Sequence, residues 1–149
     1  MSIDRFDERI LHELVRDGRV SNVELSERVG LSPSACLRRV QELERSEVIR
    51  GYRAVLNPLA MGVGFTAYIA VGLSDHSKQS QAAFENAIVQ LKEVVECHNM
   101  TGSFEYLLRV ETRDLAAYKA FHTDALGTFP QVNSITTYVV MDSAKDERA

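Results

Sequence analysis

The sequence predicts an α+β chain in two parts: an N-terminal winged helix-turn-helix domain, then a C-terminal ferredoxin-like βαββαβ domain on an antiparallel four-stranded sheet. Three observations predict it. Two capped helical stretches joined by a glycine turn occupy residues 20–45. The segment NPLAMGVG at 57–64, with one proline and two glycines, breaks the pattern and marks a domain boundary. Beyond it, β-rich and helical segments follow one another in the order βαββαβ.

The elements can be justified in turn. From about Asp4 to Asp17, the residues Ile3, Phe6, Ile10, Leu11, Leu14 and Val15 keep a 3.6-residue period, and Gly18 closes that helix. Ser21 is placed to cap a second helix. Glu24 completes an S-x-x-E capping box with it, and Val20 can meet Leu25 as a hydrophobic staple. Gly30 ends that helix, because a residue without Cβ takes the left-handed conformation of a tight turn at no steric cost. Ser32 caps a third helix beginning at Pro33, where a missing N–H costs nothing.

In the third helix Cys36, Leu37, Val40 and Leu43 form the expected buried stripe. Ser34, Arg38, Gln41 and Arg45 share another face, with Arg39 beside it. Serine, arginine and glutamine hydrogen-bond phosphates or base edges, so this helix suits the DNA major groove. A plain solvated helix has the same spacing; the arginines are what favour DNA. Glu42 and Glu44 are expected off the groove side, leaving the arginines partly free. VIRGYRAVLNP then reads as an extended ribbon, either a wing whose Arg50 and Arg53 hold phosphates or a simple connector.

The second half starts with FTAYIAVGLS (65–74), a strand rich in β-branched and aromatic residues. Residues 77–93 read as a helix with Phe84, Ile88 and Leu91 inward, and 94–102 and 105–111 as two strands around a glycine loop. Asp114 caps a helix to about Leu126, with Leu115, Tyr118, Phe121 and Ala125 inward. Residues 132–141 form the last strand, followed by a polar tail at 143–149. The domains are therefore 1–56, a linker at 57–64, and 65–142 plus the tail. Ile135, Val139 and Met141 alternate with Thr136, Tyr138 and Val140, and Tyr106, Leu108 and Val110 with Leu107. Apolar residues on both faces predict that the helix-free face packs on a second copy; an internal ligand cleft is the alternative.

Charge is unevenly divided. Residues 1–64 hold ten Arg, no Lys and ten acids, whereas residues 65–149 carry the whole net charge of −4. Arginine is the side chain suited to bidentate contact with phosphate and guanine. Balanced charge limits the affinity of one copy, so a dimer or larger assembly is expected on DNA. At 45% hydrophobic, with no apolar run of the roughly 20 residues a membrane helix needs, the chain reads as a soluble cytoplasmic protein without membrane contact. MSIDRFDE has no secretory pattern, and Cys36 and Cys97 read as free thiols.

SNVELSERVGLSPSACLRRVQELE, IRGYRAVLNP, VECHNMTGSFEYLLRV and TTYVVM together resemble the bacterial and archaeal Lrp/AsnC, or feast/famine, transcription regulators over nearly the whole chain. The resemblance implies DNA binding through Ser32, Ser34, Arg38, Arg39, Gln41, Arg45, Arg50 and Arg53, dimers that associate to tetramers or octamers, and an amino-acid effector. It assigns the effector to the loop of Asn99, Met100, Thr101, Gly102, Ser103, Phe104, Glu105 and Tyr106, with help from a neighbouring subunit. Thr137, Tyr138, Val139 and Val140 match effector-response positions. Gly102 would let backbone N–H groups approach a ligand carboxylate. Many relatives have G-D-x-D where this chain has Gly102, Ser103, Phe104 and Glu105, and Asn99 replaces an apolar residue of leucine-responsive members. Leucine itself is therefore in doubt.

Catalytic, metal and cofactor sites are not expected. His12, His76, His98 and His122 are scattered and make no chelating spacing with the cysteines. Cys97 and His98 are adjacent on a strand and point to opposite faces. No P-loop, nucleophile elbow or dinucleotide fingerprint is present. The rival readings are a metal- or redox-sensing repressor and an amino-acid-binding assembly module that never touches DNA.

Overall fold

A computed structural model describes residues 2–147. The chain divides between Val55 and Leu56 into two compact units.

The first unit is three helices, α1 (Arg5–Arg16), α2 (Asn22–Val29) and α3 (Pro33–Arg45). Ile10, Leu25, Val29, Cys36 and Leu43 make its buried centre, with Leu14, Val20 and Val40 packed around it. Each fully buried aliphatic side chain contributes about 1.5–3 kcal/mol, so four of them, with Cys36 beside them, hold a small domain. Gly30 takes φ 76° and ends α2 as expected. The capping box falls elsewhere. Asp4 and Asp7 cap the start of α1 reciprocally, whereas Ser21 accepts from the Glu24 N–H alone. The Glu24 carboxylate instead takes Arg28 at 2.6 Å, since a partner at i+4 competes with the cap.

Three expectations for this unit are corrected. Ile3 is exposed because it precedes α1, and Val15 is 87% exposed because it lies off the arc centred at Ile10. Leu37 is 46% exposed; one residue past Cys36, it is turned 100° away from the core. The wing is not formed: residues 46–63 contain no strand, which leaves the connector reading of this ribbon.

The second unit runs β1 (Phe65–Leu73), α4 (Lys78–Ile88), β2 (Val94–Asn99), β3 (Tyr106–Thr112), α5 (Leu115–Asp124) and β4 (Val132–Val139). A single 3-10 turn at Leu126–Thr128 follows α5. The sheet order is β2-β3-β1-β4, every neighbouring pair antiparallel. Helices α4 and α5 cover one face, where Ala67, Ile69, Val71, Leu108 and Val110 meet Phe84, Ile88, Tyr118 and Phe121. Leu115, expected inward, is exposed in the first turn of α5, where the Asp114 cap turns the chain outward.

The open face departs from expectation more sharply. Its centre is polar, because Arg109, not an apolar residue, alternates with Leu108 and Val110. Arg109 is 12% exposed, donates to the Tyr68 hydroxyl at 2.9 Å and lies near Glu96, Glu111 and Asp146. Apolar groups, Leu107 and Tyr138, flank that charge rather than make a continuous patch. Arg148 and Ala149 of the predicted tail lie outside the described residues.

Strand spacing leaves no room for a side chain at Gly64. A Cβ there would sit 2.5 Å from the Arg113 carbonyl oxygen, a backbone atom that cannot rotate away. Gly64→Ala is expected to destabilise the second unit by about 1–3 kcal/mol, the usual cost of forcing a packed backbone apart. Urea denaturation of the full chain checks this; an unchanged midpoint would refute it.

Candidate nucleic-acid interface and effector loop

The outer face of α3 is set by its cap. Ser32 accepts from the Ala35 N–H at 3.3 Å and fixes where the helix starts. Asn22 of α2 donates to the Pro33 carbonyl at 2.8 Å, tying the two helices across the turn. From that start Ser34, Arg38 and Gln41 are all exposed. Arg38 and Gln41 have no side-chain partner among the described residues, so their donors are free for a ligand.

The other arginines differ. Arg39 turns inward, its Nη1 donating to Asp4 at 2.8 Å and Asp7 at 2.9 Å while its guanidinium lies 5.4 Å from the Phe6 ring centre. These contacts lock α3 onto α1. Arg45 pairs with Glu42 at 2.6 Å, contrary to the expectation that Glu42 stands aside. That pair is exposed, so it holds Arg45 only weakly. Glu44 accepts from the Tyr52 hydroxyl at 2.8 Å, which holds the chain after α3. Arg50 is exposed on that following segment, as is Arg53.

In the second unit, the loop after β2 joins it to β3 at one end of the sheet. Met100 N–H donates to the Glu105 carbonyl at 2.8 Å and closes it, and Gly102 takes φ 119° at its exposed tip. Thr101 and Ser103 are exposed beside Gly102, with Asn99 and Met100 leading in and Phe104 half-buried behind. Glu105 folds back: its carboxylate accepts from the Leu73 N–H at 2.7 Å and meets His76 Nδ1 at 3.1 Å. Spare length over aspartate lets it cap the end of β1, so this carboxylate is partly occupied before any ligand arrives. Tyr106 is a core residue. It is buried against Phe84 and donates to Glu85 at 2.8 Å, and burial first, then the Glu85 contact, pushes its hydroxyl up to about 12.

Within one chain the two halves of the predicted effector set do not meet. Tyr106 pairs with Val71, whereas Val139 pairs with Ala67. Four residues of β1 separate these positions, roughly 13 Å along the strand. Thr137 faces the helices and bonds the Tyr118 hydroxyl, while Tyr138 is exposed on the open face. Val140 closes the strand by donating its N–H to Thr66. Sequence reasoning missed Asp4 and Asp7 as partners of Arg39, and His76 as partner of Glu105. No short-range pattern marks residues so far apart in the chain.

Comparisons with known proteins decide the family. Residues 3–44 match the AsnC-type helix-turn-helix domain, and residues 66–149 match the Lrp/AsnC ligand binding domain. The chain belongs to the Lrp/AsnC family. It is thus a helix-turn-helix DNA-binding transcription regulator, with α2 and α3 as the two helices of the motif. The leucine-responsive regulatory protein of Escherichia coli (strain K12) is 43% identical over 143 residues, 96% of this chain and 87% of that one. A transcriptional regulator of Neisseria meningitidis, solved as its L-Met complex, superposes with a TM-score of 0.93 at 36% identity, covering 97% of this chain and 94% of that one. The feast or famine regulatory protein of M. tuberculosis complexed with L-methionine gives 0.86 at 28% identity, covering 99% and 98%. No helix of this Lrp/AsnC chain, among the described residues, is long and apolar enough to cross a membrane.

Proposed function

We propose that this cytoplasmic regulator grips operator DNA through the outer face of α3, and that an amino acid or related metabolite at the 99–105 loop modulates that grip. The observation that carries the DNA half is the exposed, unpartnered Arg38 beside Ser34 and Gln41 on a capped helix. Ser32, Arg45, Arg50 and Arg53 supply phosphate contacts, and Arg39 orients the helix from behind. The effector half is supported by the two relatives solved with L-Met or L-methionine. The domains are 1–56 for DNA and 65–142 for effector and assembly, joined by 57–64.

Assembly follows from the separation of the effector residues. Thr137, Tyr138, Val139 and Val140 reach a 99–105 loop only if another chain brings its own, so the working unit is at least a dimer and builds to a tetramer or octamer. Paired α3 helices then meet half-sites roughly 34–36 Å apart. The chain acts by binding and has no catalytic role, metal or cofactor in this reading.

Fluorescence anisotropy of the full chain on its own promoter region against random duplex tests the DNA half. Arg38→Ala is expected to weaken specific binding by about 1–3 kcal/mol and to lower the salt slope by about one per subunit, with an unchanged circular dichroism spectrum. Equal affinity and slope would remove α3 from the groove.

A further inference from the structure

We infer that Leu37 reads the 5-methyl group of a thymine in the operator, making it a specificity-determining residue that works by apolar contact. The inference rests on the reading of α3 as the groove-entering helix.

Leu37 is the one large apolar side chain exposed along α3, while Cys36 and Leu43 of the same helix are fully buried. It lies outside the buried core and the side chains packed against it. Helical geometry places it one turn before Gln41 and one turn after Ser34, so it borders the hydrogen-bonding face. No hydrogen-bonding role is open to a leucine. A side chain held among Ser34, Arg38 and Gln41 therefore follows those neighbours to the duplex or is left in water. In the major groove the one apolar group a base pair presents is the thymine 5-methyl. Burying leucine carbons against that methyl removes apolar area from water on both sides, and cytosine in its place offers a hydrogen-bond donor with no partner.

The spacing also locates the base. Leu37 and Gln41 are separated by about 6 Å along the helix axis, and base pairs stack every ~3.4 Å. Glutamine suits adenine. The thymine should thus stand within two base pairs of the position Gln41 faces, and the pair together would select an A·T-rich step in each half-site.

Replacing single methyl groups tests this without disturbing the protein. Duplexes are selected from a random pool by the full-length chain, and each thymine is then exchanged for deoxyuridine, one at a time. For wild type, one exchange per half-site is expected to weaken binding about fourfold, the value of one buried methyl, while the others are silent. Leu37→Ala should bind the thymine duplex more weakly and lose all sensitivity to that exchange, as a contact shared by the two groups requires. A flat deoxyuridine scan overturns the assignment, as does a scan that Leu37→Ala leaves unchanged. A fall of several degrees in the melting point of Leu37→Ala, with a flat scan, would make Leu37 a packing residue. Arg38→Ala separates the two levels: if it weakens binding while the scan is flat, only the Leu37 reading fails; if it too is without effect, α3 is not in the groove.

Discussion

Arg39→Ala should cost the N-terminal unit about 2–3 kcal/mol, more than any other arginine substitution in the chain. The Asp7 side chain is only 4% exposed and receives Arg39 Nη1 at 2.9 Å. Removing the guanidinium strands that carboxylate where water hardly reaches it, and stranded buried charges are among the costliest single changes. The Asp4 N–H still reaches Asp7, which is why the figure lies below the upper end for such pairs. In a unit of this size the loss lowers the melting point by roughly 10–20 °C. Arg39→Lys should recover only part, since an ammonium cannot span two carboxylates as a guanidinium fork does.

Acid tests the same node. The Asp7 N–H, and then Arg39, hold the Asp4 carboxyl below its ordinary value of 3.8. A lowered carboxyl pKa stabilises the fold above that ordinary value, and the contribution is lost as pH falls through the lowered one. Wild type should therefore weaken below about pH 4 more steeply than Arg39→Ala, whose Asp4 has lost one of its two strongest partners. Thermal melts of the full chain followed by helix signal read both effects. A melting point within two or so degrees of wild type would show that Arg39 faces solvent.

Arg38 and Arg39 are neighbours in sequence that face different ways, one to solvent and one onto Asp4 and Asp7, which explains what a reader of the sequence can and cannot see. The helical period put Arg38 on the outer face, and local chemistry marked the Ser32 cap, Pro33 and the Gly30 turn. All of these depend on residues within one helical turn. The partner of Arg39 lies 35 residues away at Asp4, and nothing near either residue announces it. Leu37 illustrates the other failure. Apolar character alone suggested burial, yet the stripe is only as wide as the partner helices permit, and at 46% exposure Leu37 lies beyond its edge.

The second unit shows the same division. The βαββαβ order follows from alternation and turns, and the strand order β2-β3-β1-β4 follows from that topology. Helix and strand ends were less legible: α4 stops at Ile88, and Leu91 reaches the core from the turn beyond. On the open face, alternation suggested apolar cover, whereas Arg109 is held by Tyr68 from the adjacent strand. Cross-strand partners are set by register, and register is a property of the whole sheet. Only the resemblance points to the loop at 99–105 as an effector site; its residues read in isolation as an ordinary strand connection.

Gly102→Val should blunt the effector response at least about tenfold while leaving DNA binding intact. Gly102 sits at φ 119°, where a β-branched residue is strongly disfavoured, although no atom stands within 4 Å of an added Cβ. The substitution therefore acts by re-routing the loop tip and not by a clash with the core. Relief is available because the tip is exposed, so the stability cost should stay near 1–2 kcal/mol. On the proposed effector reading, backbone N–H groups at the tip then lose their alignment on a ligand carboxylate, and affinity should fall at least about tenfold, since a displacement of an ångström in such a cradle is enough. A thermal-shift screen of the twenty amino acids finds the ligand first: at a hundred times its dissociation constant it adds about 2.7 kcal/mol to the folded state. Gly102→Val should show about half that stabilisation or less at the same concentration, with the wild-type anisotropy curve on ligand-free DNA. If the variant answers normally to the amino acid, the loop does not hold it. If it loses DNA binding as well, the loop serves assembly before it serves the ligand.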